Sequence, residues 1–268
     1  MFLPPMTITS QHNQKLKEIR KLRQRRRWRE RSGRFVAEGE DLLAAADAAR
    51  WEAVERYCAV GSGLPGTEVE AELLASASGL GSGTRTLAVY EERWAERPLG
   101  PLCVYLHGVH DPGNVGTILR SAGAFEASSV ALGPRTADPY SLKAVRASMG
   151  AVFGVPLARL PDAPGDLDAL PGVKIALVPR EGLPLSEGLA ANTAQRYQKP
   201  TLRGEPAVAA RSAGDVTLLV GGEREGLPAD LVQRADRVAH IPIVGNSLNA
   251  AMAATIALYE LRTRMARE

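Results

Sequence analysis

The apolar positions follow two rhythms, and the change between them divides the chain. Up to about residue 90 the pattern is mixed and short-ranged. Residues 11–30 read as a basic helix, 35–36 as a short strand, 40–51 as an Ala/Leu-rich helix and 54–60 as a second strand. A helical stretch at 68–76 sits among small residues, and 86–90 is a further strand candidate. These elements predict a small α/β module. Two prolines and a glycine in 91–101 mark a linker, so we expect one domain over 1–95 and another over 96–268. From residue 102 apolar runs recur at 102–109, 129–132, 173–178, 216–220 and 237–241, each short and bounded by Gly, Pro or Asp. Buried parallel strands have this form. Helical patterns lie between most of them, which predicts an α/β fold with a mainly parallel sheet covered by helices on both faces. Residues 180–214 are rich in Gly, Pro and polar side chains and are expected to form a long loop or short helices. A helix over 247–264 closes the chain.

Charge sharpens the division. Between Lys15 and Arg34 eleven basic residues face only Glu18 and Glu30, a net charge of +9, which leaves −6 for the rest of a 268-residue chain whose total is +3. One basic element on a mildly acidic protein implies a polyanionic partner, most simply nucleic acid. The alternative is a solubilising charged helix. Trp28, inside the run, can stack on a base or serve as a buried anchor. The two cysteines, Cys58 and Cys103, form no CxxC pair, so neither a disulfide framework nor a zinc site is expected. No apolar run reaches membrane-spanning length, and a soluble, cytoplasmic protein is expected.

Three segments carry candidate chemistry. The first, Asp111-Pro-Gly-Asn-Val-Gly-Thr-Ile-Leu-Arg-Ser-Ala122, follows a strand. Pro112-Gly113 suits a turn and Asn114 is a natural N-cap. In the helix beyond, Val115, Ile118, Leu119, Ala122 and Phe125 share a face from which Arg120 points away. The second, Leu218-Leu-Val-Gly-Gly-Glu-Arg-Glu-Gly226, also ends a strand. Adjacent glycines let a backbone approach a ligand closely, and ligands of open α/β sheets sit beyond the carboxyl ends of strands. The segment is neither a Walker A loop nor a GxGxxG turn. The third runs from His240-Ile-Pro-Ile-Val-Gly-Asn-Ser-Leu-Asn to Glu260, with Asn246 and Ser247 as caps for an Ala-rich helix. Taken singly, each segment also reads as ordinary capping and packing.

In this order the three segments resemble the SpoU (TrmH) family of RNA ribose methyltransferases, within the SPOUT superfamily. The resemblance covers the chain from about Leu102 onward. The basic stretch with Phe35-Val-Ala-Glu-Gly39 and the following Ala/Leu helix is similar to the substrate-binding domain common in that family. The resemblance implies a C-terminal domain threaded into a trefoil knot, S-adenosylmethionine as methyl donor, and a homodimer whose subunits share in building each site. It implies that Gly221, Gly222, Ile241, Ile243 and Leu248 cradle the donor. It also implies a catalytic set of Asn114, Arg120, Glu223, Ser247 and Asn249, with no metal. His107 and His110 flank a turn but have no acidic or cysteine partners at ligand spacing.

In the implied reaction a ribose 2′-hydroxyl attacks the sulfonium methyl and must lose its proton, so a nearby base or acceptor helps. The family proposal casts the arginine as that base. A guanidinium normally stays protonated, with a pKa above about 12, so anchoring a neighbouring phosphate is the competing role. Arg20, Arg23, Arg25, Arg26, Arg27 and Arg29 are the candidates for gripping RNA. The expected activity is 2′-O-methylation of RNA, with 23S-type ribosomal RNA favoured. A transfer-RNA methyltransferase of the same family and a non-catalytic ribosome-assembly factor are the alternatives.

Overall fold

The computed structural model describes residues 7–79, 83–161, 166–190, 214–245 and 247–266. In chain order the elements used below begin with α1 (Gln14–Gln24), α2 (Arg26–Ser32), β1 (Arg34–Glu38), α3 (Glu40–Ala48), β2 (Glu55–Ala59), β3 (Thr67–Val69), α4 (Ala71–Ala77) and β4 (Thr86–Glu91). Then follow β5 (Leu102–His107), α5 (Pro112–Ala124), β6 (Ser129–Leu132), α6 (Leu142–Ala147), α7 (Ala151–Gly154), β7 (Leu157–Arg159) and β8 (Val173–Leu177). The last are β9 (Leu183–Pro184), α8 (Leu185–Ala190), β10 (Val216–Gly221), α9 (Ala229–Arg234), β11 (Arg237–His240) and α10 (Ala250–Met265). They form two compact units, one drawn from Met1–Arg93 and Asp138–Gly154, the other from Trp94–Ala137 and Val155–Glu268.

The first unit is a four-stranded sheet in the order β1-β4-β2-β3. β4 pairs antiparallel with both β1 and β2, and β3 joins β2 in parallel. Spacing of three along α1 puts Leu16, Ile19 and Leu22 on one buried stripe, which packs on Val36, Tyr57 and Leu87. The other face carries rings: Phe35, Trp51, Tyr90, Tyr140 and Phe153 meet at centroid separations of 4.6–6.4 Å. The Trp51 indole N–H donates to the Phe153 carbonyl at 2.8 Å, satisfying the one polar atom of a buried ring. Tyr140, just before α6, and Phe153 of α7 thus complete a core begun by β1 and β4.

The basic stretch is not one helix over 11–30. It breaks at Arg25, whose extended backbone (φ −118°, ψ 106°) ends α1 and starts α2. A continuing helix would bond the Leu22 carbonyl to the amide of residue 26. Here the Arg29 guanidinium turns inward and donates to that carbonyl at 2.6 Å instead. The 68–76 stretch likewise resolves into strand β3 followed by helix α4, and the short strands β7 and β9 were not expected from the sequence.

The second unit is a seven-stranded sheet ordered β7-β6-β5-β10-β8-β11-β9, and every described pairing in it is parallel. Cys103, Tyr105, Ala131, Ala176 and Leu219 build the core on one face. Burial pushes the Cys103 thiol up to about 11, so it stays protonated as an apolar core group. Within 180–214 the described residues form β9 and α8, while 191–213 lie outside the description. Because β10 lies between β5 and β8, the loops after β5 and β10 leave neighbouring strand ends on the same edge of the sheet, and the loop after β11 leaves that edge too. That arrangement places the three sequence segments in one neighbourhood.

Candidate active site

α5 begins one turn earlier than the sequence suggests. Asp111, not Asn114, is its N-cap: the Asp111 carboxylate accepts from the Gly113 amide at 2.9 Å, and Pro112 fills the first helical position. Proline needs no donor there, so the cap falls to the residue before it. Asn114 is thereby released for another task. On the far side, α10 is capped by Asn249 rather than by Ser247. Its Oδ1 accepts from the amides of Ala251 (2.9 Å) and Met252 (3.3 Å). Asn246, the other expected cap, lies outside the described residues.

Asn249, Asn114 and Glu223 then form a single hydrogen-bonded chain. The Asn249 Nδ2 donates to Asn114 Oδ1 at 3.1 Å, and the Asn114 Nδ2 donates to the Glu223 carboxylate. Its direction is forced from both ends. Main-chain N–H groups fix the Asn249 oxygen, so its amino group must face Asn114. A carboxylate only accepts, so the Asn114 amino group must face Glu223. A helix N-terminus, two amides and a carboxylate are thus aligned in one sense.

Glu223 stands on a tight turn at the end of β10. The Gly226 amide donates to the Gly222 carbonyl at 2.9 Å, and Gly226 occupies the left-handed region at φ +65°. A Cβ on Gly221 would collide with the Gly226–Leu227 backbone, and one on Gly222 with the Gly108 carbonyl. The expected reason for these glycines, close approach of a ligand, is therefore joined by another. They let the turn fold onto itself and onto the loop after β5.

The turn borders a cleft of about 530 Å³ beyond the strand ends, within the range of small-molecule sites. Gly221, Gly222, Ile241, Ile243 and Leu248 all line it, together with Glu223 and Ser247. Aliphatic side chains on one wall and main chain on the other suit a flat heteroaromatic ring, whose faces want apolar contact and whose edge wants amides and carbonyls. Leu177, Glu181 and Arg224, which were not singled out in the sequence, line it as well. Glu181 had no motif to reveal it, and Arg224 lay within the second segment but had no role assigned to it. Arg120 is exposed on α5, pointing away from the buried face as its spacing predicts, and it is not among the residues lining the cleft. Glu223 and Ser247 thus line the cleft, Asn114 and Asn249 join them through the hydrogen-bonded chain to Glu223, and Arg120 belongs to neither group.

In the first unit the six candidate arginines separate. Arg25, Arg26 and Arg27 are exposed, with Arg26 paired to Glu30 at 2.8 Å. Arg20 is half-buried and donates to the Gln11 carbonyl and to Ser76. Arg23 is half-buried and donates to the Ala77 and Ser78 carbonyls. Arg29 does not belong to an RNA-gripping set. Its side chain is 5% exposed and paired with Asp138 at 2.7 Å, so no phosphate can reach it. Trp28 is half-buried against the core, with Lys21 and Arg31 4.5 and 5.3 Å from its ring centroid.

Comparison with known proteins gives matches over both parts of the chain. The SpoU rRNA Methylase family matches residues 101–259, and the MRM3-like substrate binding domain matches 13–92. The 23S rRNA (guanosine(2553)-2′-O)-methyltransferase RlmP of Bacillus subtilis is 33% identical over 161 residues, 59% of this chain and 56% of that protein. The 23S rRNA (uridine(2479)-2′-O)-methyltransferase of Streptomyces viridochromogenes is 34% identical over 153 residues, 56% of this chain and 48% of that protein. The matched part is thus about half the length of these curated relatives. An AdoMet-bound rRNA methyltransferase from Sinorhizobium meliloti superposes with a TM-score of 0.77 at 29% identity, covering 97% of this chain and 98% of that one. With the family's match spanning more than half of its residues and falling on all three site segments, the chain belongs to the SpoU rRNA methylase family.

Proposed function

We propose that the protein transfers a methyl group from S-adenosylmethionine to a ribose 2′-hydroxyl of RNA, with 23S-type ribosomal RNA as the substrate class. The observation that carries this reading is the Asn249–Asn114–Glu223 chain ending at the rim of the cleft. S-adenosylmethionine supplies an activated methyl group when bound. Ile241, Ile243 and Leu248 would hold its apolar faces and the Gly221–Gly222 main chain its polar edge, since all five line the cleft. Glu223 accepts a hydrogen bond from the 2′-hydroxyl and so draws the proton away from the attacking oxygen. Asn114 holds that carboxylate in place, and Ser247 orients the ribose. Arg120 anchors an adjacent phosphate. The ribosomal preference rests on the two relatives named as 23S rRNA 2′-O-methyltransferases and on the separate basic unit.

Labelled S-adenosylmethionine, incubated with unmodified ribosomal RNA and with transfer RNA, tests the reaction. A methylated 2′-oxygen cannot attack its own phosphate, so the label is expected in alkali-resistant dinucleotides from ribosomal RNA. Label in mononucleotides would mean base methylation and refute the mechanism.

The C-terminal unit carries the family's trefoil knot in this reading and works as a homodimer. Met252, Ile256 and Tyr259 support the second point: they recur every three to four residues along one side of α10 and are 38–58% exposed, an apolar stripe that a second copy would cover. Light scattering should return twice the chain mass, and a monomer at micromolar concentration would refute it. In a dimer, Arg120 can serve a site to which the other subunit contributes.

The exposed cations of α1 and α2 grip RNA phosphates. Binding should then weaken with salt by a log–log slope of roughly −0.7 to −0.9 per phosphate contact. The combined Arg25→Ala, Arg26→Ala and Arg27→Ala variant should flatten that slope by about two to three. An unchanged slope would move the contact surface elsewhere.

A further inference from the structure

The turn that presents Glu223 is held from a second side, through Glu225 at the cleft edge and three residues that do not line the cleft. Glu225, two positions on, pairs with Arg135 at 2.9 Å. The same guanidinium lies 3.2 Å from His107 Nε2, and His107 Nδ1 lies 3.2 Å from the Tyr105 hydroxyl. Tyr105 and His107 belong to β5 and are 1% and 7% exposed. A guanidinium can only donate, so Nε2 must be the acceptor. His107 is therefore neutral, carries its proton on Nδ1, and donates it to the Tyr105 oxygen.

Arg135 is presented from an unusual backbone. It sits at φ +58°, a left-handed conformation that residues other than glycine seldom adopt. The loop that carries it is tied to the end of β5: Gly108 donates to the Pro134 carbonyl at 3.0 Å, and Thr136 donates to the Leu106 carbonyl at 2.9 Å. Gly133 leaves room for the Tyr105 ring, which a Cβ there would strike. The buried end of the relay is thus rigid, and the fork of Arg135 extends that rigidity to Glu225. The turn 222–226 then has two tethers of opposite direction, Glu223 to Asn114 and Glu225 to Arg135.

We infer that Arg135 is a positioning residue: braced by neutral His107, it holds Glu225 so that the turn sets Glu223 and the cleft wall for methyl transfer. The inference rests on the methyltransferase reading above. It adds Arg135 and His107, which are not among the residues lining the cleft, as determinants of rate that act through Glu225 at its edge.

The test compares wild type, Arg135→Ala, Glu225→Ala and the double variant. Steady-state kinetics use S-adenosylmethionine with unmodified ribosomal RNA, and hydrogen–deuterium exchange is followed in peptides spanning 221–227. Each single variant is expected to lose about five- to twentyfold in kcat, to exchange the Gly226 amide at least threefold faster, and to keep its Tm within about 2 °C, because the Arg135–Glu225 pair is half-exposed. The double variant should be no worse than either single one, since both remove one interaction. His107→Ala should give the same faster exchange with Arg135 still present. Unchanged exchange in the single variants, additive losses, or faster exchange with unchanged kcat would each overturn the inference. A wild-type protein that transfers no methyl group would overturn the methyltransferase reading instead, and the exchange measurement would still decide whether Arg135 holds the turn.

Discussion

Replacing Asn114 by alanine is expected to lower kcat for methyl transfer by about a hundredfold or more, the scale seen when one preorganised polar group is removed from a reacting centre. S-adenosylmethionine affinity should stay within about threefold, because Asn114 is not among the residues lining the cleft. The loss follows from its place in the chain: it is the one side chain that joins the amide of Asn249 to the carboxylate of Glu223. Asn249→Ala tests the same link less cleanly, since it also removes the cap of α10, worth about 1 kcal/mol. Asn249→Asp separates the two effects. It keeps an oxygen for the Ala251 and Met252 amides and adds a favourable charge at a helix N-terminus. It also replaces the donor facing Asn114 with an acceptor. The expected result is a protein as stable as wild type with kcat down by an order of magnitude or more. Steady-state kinetics beside thermal denaturation would read both, and a kcat within threefold of wild type for Asn114→Ala would remove the chain from the mechanism.

The strand positions of the second unit were legible because each is a short apolar run with polar or turn residues on either side. 102–109, 129–132, 173–178, 216–220 and 237–241 all contain strands, and only their ends moved. β7 and β9 were missed because three- and two-residue edge strands carry too few side chains to show a period. Helix starts were the least legible. Asn114, Ser247 and Asn249 all belong to residue types that cap helices. Which one does so depended on Pro112 in the first case and on a hydrogen bond to a distant segment in the other. Of the proposed site, the glycines and aliphatic residues could be named, but not the second reason for Gly222, which lies in the Gly108 carbonyl more than a hundred positions away.

Arginine shows the same limit. From composition alone the six arginines of the basic stretch are equivalent, and nothing marks Arg29 as internal. The reason lies in Asp138, 109 residues away and in the same compact unit. Charge counting finds the basic surface, and it takes the packed structure to say which members of it are free to meet a phosphate.

Removing the charge of Asp138 is therefore expected to be among the most damaging single changes in the first unit. The side chains of Arg29 and Asp138 are only 5% and 8% exposed, and their ion pair spans 2.7 Å. Asp138→Asn keeps the shape, and its side-chain oxygen can still accept from the Tyr140 amide, a bond now 2.9 Å long. It strands the Arg29 guanidinium in a buried site without a counter-charge. Breaking a buried pair from one side costs about 3–5 kcal/mol, which urea denaturation of the full chain would read as a large fall in midpoint. Removing both charges, with Arg29→Met and Asp138→Leu, does not simply repair the loss as it does for many buried pairs. Arg29 also supplies the donor for the Leu22 carbonyl at the broken end of α1, Asp138 also accepts from the Tyr140 amide, and each orphaned buried group costs about 1–3 kcal/mol. The double variant should thus recover part of the stability, while RNA affinity returns with folding because neither residue touches RNA. A double variant as stable as wild type would mean that neither the break at Arg25 nor the Tyr140 turn depends on the buried pair.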